Sequence, residues 1–390
     1  MKASTFVYPW DVNGDPEAPA RIAALGVEQV TLAAAYHSTR ALTPRHPRHR
    51  IVTAEHAAVL YPADGRWAGR ELRPYAAGAW GPGDTFGEAA TALAGAGLQV
   101  HTWVVLAHNS RLGAEHPGTS VVNAYGDRYP WAPCIAQPAT RAYLTDLAAE
   151  AAVRPGASGT ELESLGWYGL EHLHAHDKTG GVGLGEAGQY LMALCFCPSC
   201  REGYGRHGLD ADELAAAVRT ALEPVWQGAP SGGGGWADIE KLLGEKLATT
   251  TRAYRDETAR TLQEQAVAAV RAAAPDGFQV LLHADPVSYH VGANPGVDPA
   301  HILSVADGVV VPCGGGTGTL TPFARQGREG AVVAANFPVV SGMGGSPGTL
   351  AADAAEARRL GATELRLYHA GLASDDDLAA VARALRTLEG

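Results

Sequence analysis

The sequence predicts an α/β fold, a (β/α)8 TIM barrel, on three observations. Eight short apolar runs alternate with Ala/Leu/Arg/Glu-rich helical stretches along the 390 residues, the order that a parallel sheet with crossover helices produces. Polar and ionisable residues collect just past the ends of those runs, where a barrel carries its active site. Two connections are far longer than plain loops, as happens where the rim around such a site is built out.

The runs begin at Thr5-Phe-Val-Tyr-Pro and continue at Val30 to Tyr36, Val100 to Leu106, Leu165-Gly-Trp-Tyr-Gly-Leu170 and Phe278 to His283. Val309 to Pro312, Ala331 to Ala335 and Leu365 to His369 complete the set. The last helix, Asp375 to Leu388, starts on Ser374-Asp-Asp-Asp, where acidic side chains meet the positive end of the macrodipole. The first long connection runs from His37 to about Phe86 and holds a basic cluster, Pro44-Arg-His-Pro-Arg-His-Arg50. That cluster reads either as a solvated loop or as a cover that captures an anionic substrate group. The second follows strand 4 as a helical insertion over about residues 178–275. It carries a helix from Ala211 to Trp226, a flexible linker at Gly228 to Gly235 and a long amphipathic helix from Trp236 towards Ala274. The glycine tract lacks a Lys-Ser/Thr ending, so it is a linker and not a phosphate cradle. No second domain stands out, and residues 1–390 read as one barrel.

A hydrophobic content of 46% supplies a full core, while the net charge of −11 argues against a nucleic-acid-binding protein, which needs a basic face. No stretch approaches a membrane-spanning run, and the N-terminus shows no secretory h-region, so the expectation is a soluble, cytoplasmic chain; a homo-oligomer stays open. Four of the five cysteines form a tetrathiolate set: Cys195-Phe-Cys197-Pro-Ser-Cys200 is a C-x-C-x-x-C knuckle that a distant Cys134 closes. A closed set of four soft ligands reads as structural Zn²⁺; a disulfide in an exported protein is the alternative.

The residues expected at the strand ends are Trp10 and Asp11, Tyr36 and His37, His108 and Asn109, Glu171 with His172, His174, His176 and Asp177, Asp285, Cys313, Asn336, and Tyr368 and His369. Glu171 is the first candidate for catalysis, since Trp167-Tyr-Gly-Leu leads an apolar run into a carboxylate at the rim. Asp285, one strand over, makes it a pair of the kind used in two-carboxylate glycosyl chemistry. Substrate-binding roles fall to Trp10, Asp11, Tyr36, His37, Arg40, His108, Asn109, His172, His174, Asn336 and His369. The three alternating histidines also admit a second metal site with Asp177. Among the aromatics, Trp103 and Trp167 are either sugar platforms or core.

The cysteine order, the glutamate between Cys134 and the knuckle, the tail Cys200-Arg-Glu-Gly-Tyr204-Gly-Arg-His-Gly208 and the segment from His108 through Tyr143 together resemble zinc-containing glycoside hydrolases. The type is that of the family 42 β-galactosidases and the hypothetical glycosyl-hydrolase-like barrels related to them. The likeness covers about residues 100–210. It implies a carbohydrate or glycoside as substrate and Glu171 as the strand-4 acid/base. The pattern departs in two places: strand 7 ends Ala334-Ala-Asn336-Phe-Pro338 with no glutamate, and Leu170 precedes the acid. Asp285 or Asp11 is then the second carboxylate, or the barrel binds carbohydrate without turnover, or the histidine cluster supports metal-dependent chemistry.

Overall fold

The computed structural model describes residues 1–170 and 177–389. Eight parallel strands form a closed ring: barrel strands 1 (Lys2–Val7), 2 (Gln29–Tyr36), 3 (Gln99–Val105), 4 (Gly159–Glu163), 5 (Gln279–His283), 6 (Gly308–Pro312), 7 (Val332–Pro338) and 8 (Glu364–Tyr368). Strand 1 pairs with both strand 2, Ser4 opposite Gln29, and strand 8, Lys2 opposite Glu364, which closes the barrel. Strand 2 is buried at every position, since helices cover its outer face and the barrel interior its inner one. Helix starts follow the local chemistry. The Asp84 carboxylate accepts the Gly87 N–H ahead of Thr85–Gly95, Asp298 accepts the His301 N–H ahead of Pro299–Val305, and Asp375–Glu389 opens on three aspartates.

Strand 4 is displaced from its expected place. Residues 165–170 form no strand; they lie in the loop that follows Gly159–Glu163, after Ser164 turns the chain at a φ of 56°. The loop is apolar because it is covered. Its backbone bonds to the connection after strand 5, Ser164 N–H to Ala293 O and Gly292 N–H to Trp167 O, and the Trp167 indole donates to Arg255 O. Trp167 and Trp103 are therefore both core, at 5% and 1% exposure. The expected long helix is two, Trp236–Leu243 and Glu245–Ala273, broken at Gly244, whose φ of 82° favours glycine. Ala211–Trp226 forms as expected, with Asp210 at its start.

The barrel interior is apolar on one side and charged on the other. Leu281, Val310, Val332 and Ala334 make a small apolar cluster of their own on strands 5 to 7. Opposite them, Arg366 on strand 8 reaches across to Glu161 on strand 4 (Nε to Oε1, 2.5 Å), a contact that must cross the lumen because those strands are not neighbours. Thr31 donates to the same oxygen at 3.1 Å, and both ends of the ion pair are fully buried. Arg366, then His283 and His101, more than offset the burial that would raise the Glu161 carboxyl and hold it at about 2.

Candidate active site and cysteine centre

The charged core leads directly to the mouth. Two residues beyond Glu161, which is one strand pleat, Glu163 ends strand 4 with its side chain 12% exposed. Its Oε2 accepts the Trp103 indole N–H at 2.6 Å and lies 4.0 Å from His283 Nδ1. His283 Nε2 in turn faces Glu161 Oε2 at 3.5 Å, so one imidazole stands between the interior glutamate and the one at the mouth. Glu163 is the functional candidate that sequence reasoning missed. The signal was present, because Thr160-Glu-Leu-Glu163 alternates, but two acidic residues in a short run do not read as a barrel strand.

Aromatic residues surround this carboxylate. Tyr8, Tyr36 and Tyr368 close over Phe6 and Trp103, with Tyr8 Oη donating to Tyr36 Oη at 3.0 Å and burial pushing all three phenols up. His37 stacks on Tyr36 at 4.2 Å, and His108 lies between His37 and Tyr168. Burial lowers His37, which keeps it neutral near pH 7.

The other expected residues divide. Asp285, past the end of strand 5, accepts the Val287 N–H at 2.8 Å and meets His290 Nδ1 at 3.0 Å. Asp11 is 4% exposed; one oxygen accepts the Tyr8 N–H at 2.8 Å, and burial, opposed by that bond and by Arg45, raises its carboxyl to about 7. It faces a cavity of about 30 Å³ shared with Arg45 and Gly371, space for a water. Trp10 stacks on Tyr8 at 4.5 Å, and His369, buried and lowered to about 3, lies over the same tyrosine at 4.3 Å. Asn336 Oδ1 is buried with no protein partner. Asn109 is occupied as the cap of Ser110–Glu115, accepting the Leu112 N–H at 2.9 Å. Arg40 is exposed on the outer hairpin of Thr39–Leu42 and Ile51–Ala54. Arg45 does not wait for an anion: its guanidinium holds the Ala370, Gly371 and Ala373 carbonyls and so pins the turn after strand 8. Glu171, His172, His174 and His176 lie outside the described residues. An open groove of about 590 Å³ follows the rim, lined by Arg70, Arg73, Tyr75, Arg111, Glu115 and His116.

The four cysteines of the sequence motif come together. Cys134, Cys195, Cys197 and Cys200 are all buried, with their sulfurs within 4.8 Å of one another. Cys134 Sγ is 3.6 Å from Cys197 and 3.5 Å from Cys200, close to the edge of about 3.8 Å that a tetrahedron with metal–sulfur bonds near 2.3 Å requires. The Val122 and Cys197 N–H groups point at Cys195 Sγ, as backbone donors do towards a thiolate sulfur. The site can hold a metal ion.

No protein-family model matches this sequence, and comparison with curated proteins gives no match. Solved structures do share the fold, glycoside hydrolases among them. The α-L-fucosidase isoenzyme 2 of Paenibacillus thiaminolyticus superposes with a TM-score of 0.59 at 12% identity, over 100% of this chain and 49% of that one. The glycoside hydrolase domain of PgaB from Bordetella bronchiseptica gives 0.55 at 17%, over 99% and 98%. A β-galactosidase from Bacillus circulans gives 0.55 at 11%, over 100% and 56%. At these identities the likeness is one of fold, and the chain spans about half the length of the fucosidase and the β-galactosidase.

Proposed function

We propose that this chain is a glycoside-hydrolase-like enzyme that acts on a carbohydrate or glycoside at the carboxyl-terminal mouth of its barrel. The observation that carries the reading is Glu163, a nearly buried carboxylate at the end of the fourth strand, held by an indole N–H and ringed by tyrosine and histidine side chains. In this reading Glu163 takes the acid/base role that the sequence assigns to Glu171. It protonates the glycosidic oxygen as the bond breaks and, where Asp285 has bonded to the anomeric carbon, takes the proton of the water that displaces Asp285. Asp285, from the adjacent strand, is the second carboxylate and either attacks the anomeric carbon or activates water. Tyr8, Tyr36, Trp10 and His37 contribute apolar faces and polar edges of the kind that pack against sugar rings and bind hydroxyls. The rim groove with Tyr75 and Arg111 accommodates further sugar units.

The cysteine centre is proposed as structural Zn²⁺, bound by Cys134, Cys195, Cys197 and Cys200. It ties the loop after strand 3 to the insertion after strand 4 and takes no part in the reaction. The proposal is tested with activated aryl glycosides. Turnover by the native chain, its loss in Asp285→Ala and its rescue by azide support the two-carboxylate reading. Thermal stabilisation by sugars without turnover supports a binding barrel instead.

A further inference from the structure

One cluster at the mouth joins Asp285 to groups that the chemistry does not use. His290 lies in the connection after strand 5 with its side chain one-third exposed, and both ring nitrogens face carboxylates: Nδ1 is 3.0 Å from Asp285 Oδ1 and Nε2 3.1 Å from Glu186 Oε1. Glu186 belongs to the insertion after strand 4, in the first turn of Gly185–Met192. Its Oε1 also accepts the Tyr289 hydroxyl at 2.5 Å, while its Oε2 accepts the Gly235 N–H at 3.2 Å, at the end of the glycine tract. The glutamate is thus tied at once to the barrel loop and to the linker. From the long helix Glu245–Ala273, Arg252 lies over the Trp236 and Tyr289 rings and donates to Ser288, which donates to Asp256. The groups facing His290 are therefore Asp285, Glu186 and Tyr289, with Arg252 and Asp256 behind them.

We propose that His290 is a positioning residue whose imidazolium bridges Asp285 and Glu186, so that docking of the insertion and orientation of Asp285 depend on one side chain. The catalytic meaning of this bridge rests on the proposed role of Asp285; the bridge itself does not. An imidazole between two carboxylates is stabilised as the cation. Burial opposes this, but the two carboxylates raise His290 above its usual 6.5. The bridge is therefore complete below the unfolded value near 6.5 and weakens as pH rises through the higher folded value. At high pH a neutral ring donates to one carboxylate only, so either Asp285 or Glu186 loses its bond to His290; in the second case the Tyr289 hydroxyl alone holds Glu186 to the barrel loop and the insertion docks less firmly.

The experiment compares the native chain with His290→Gln and Glu186→Gln by hydrogen exchange and limited proteolysis at residues 228–235, at pH 6 and pH 9, with exchange corrected for its intrinsic pH dependence. The native tract is expected to be better protected at pH 6, and both variants are expected to lose that pH dependence while keeping the native circular dichroism. A pH dependence that persists in either variant overturns the proposal. On an aryl glycoside that the native chain turns over, His290→Gln lowers kcat on the order of 10–100-fold with KM little changed, as a misplaced catalytic group does. An unchanged kcat and pH profile overturns the link to Asp285. Protection that depends on His290 in a chain that turns over no glycoside leaves the bridge standing and removes the glycosidase reading.

Discussion

Replacing Arg366 with Met leaves Glu161 as an unpaired charge in the barrel lumen, and the structure sets the size of the effect. Both side chains are fully buried, and Glu161 is held at about 2 against an ordinary 4.5. Breaking a buried ion pair typically costs about 3–5 kcal/mol, and Arg366, ahead of His283 and His101, is the group that most opposes the burial of Glu161. A carboxyl whose folded value lies below its unfolded value stabilises the fold above the unfolded value and loses that contribution as pH falls through the folded one. The deficit of Arg366→Met is therefore full at pH 7, begins to shrink below about 4.5 and is smallest near pH 2. The assay is urea unfolding of native and variant chains at pH 7, 5 and 3. The double variant Glu161→Leu/Arg366→Met recovers most of the loss, because apolar groups of similar size replace the pair. A loss under about 1 kcal/mol at pH 7, or a deficit that does not shrink in acid, would show that the pair does not hold the lumen together as argued.

Three further outcomes are expected. Asp11→Asn keeps an oxygen for the Tyr8 N–H but removes a carboxyl that burial raises to about 7. The variant therefore gains stability over the native chain above pH 7, by at most about 4 kcal/mol, with no gain near pH 3, as read by unfolding midpoints across that range. Zinc analysis should return one metal per chain. Its removal by a strong chelator, or Cys134→Ser, should lower the melting temperature by several degrees; a metal-free chain of unchanged stability contradicts the assignment. Gly371→Ala should be destabilising, since a Cβ there would overlap the buried Asp11 carboxylate and push it from the Tyr8 N–H, and a melting temperature equal to the native one would count against the close packing of that turn.

The sequence carries the barrel through the regular alternation of apolar runs and helices, and it fails at the strand whose inner face carries two carboxylates. Gly159-Thr-Glu-Leu-Glu163 places Glu161 and Glu163 on the inner face, where an ordinary barrel has branched aliphatics, while Leu165 to Leu170 is apolar because the insertion buries it. Each segment takes the appearance expected of the other. The cysteine centre is legible because three ligands lie within six residues and the fourth has few competitors. Asp285 is legible as a polar residue after an apolar run. Its partner His290 is not, because the partner of that histidine, Glu186, lies 104 residues away in the insertion, and no local pattern links them. Arg45 illustrates the opposite error. Its basic neighbourhood suggests a ligand, whereas the backbone carbonyls after strand 8 already occupy its guanidinium.

If the carboxylate at the end of strand 4 performs glycoside chemistry, Glu163→Gln set beside Glu171→Gln on the same panel of 4-nitrophenyl glycosides separates the two candidates. The expected result is turnover by the native chain and a loss on the order of 10²–10⁴-fold in Glu163→Gln, with fold and metal content intact and the loss in Glu171→Gln far smaller. Full activity in Glu163→Gln together with its loss in Glu171→Gln contradicts the account and returns the acid/base role to the segment from Glu171 to His176.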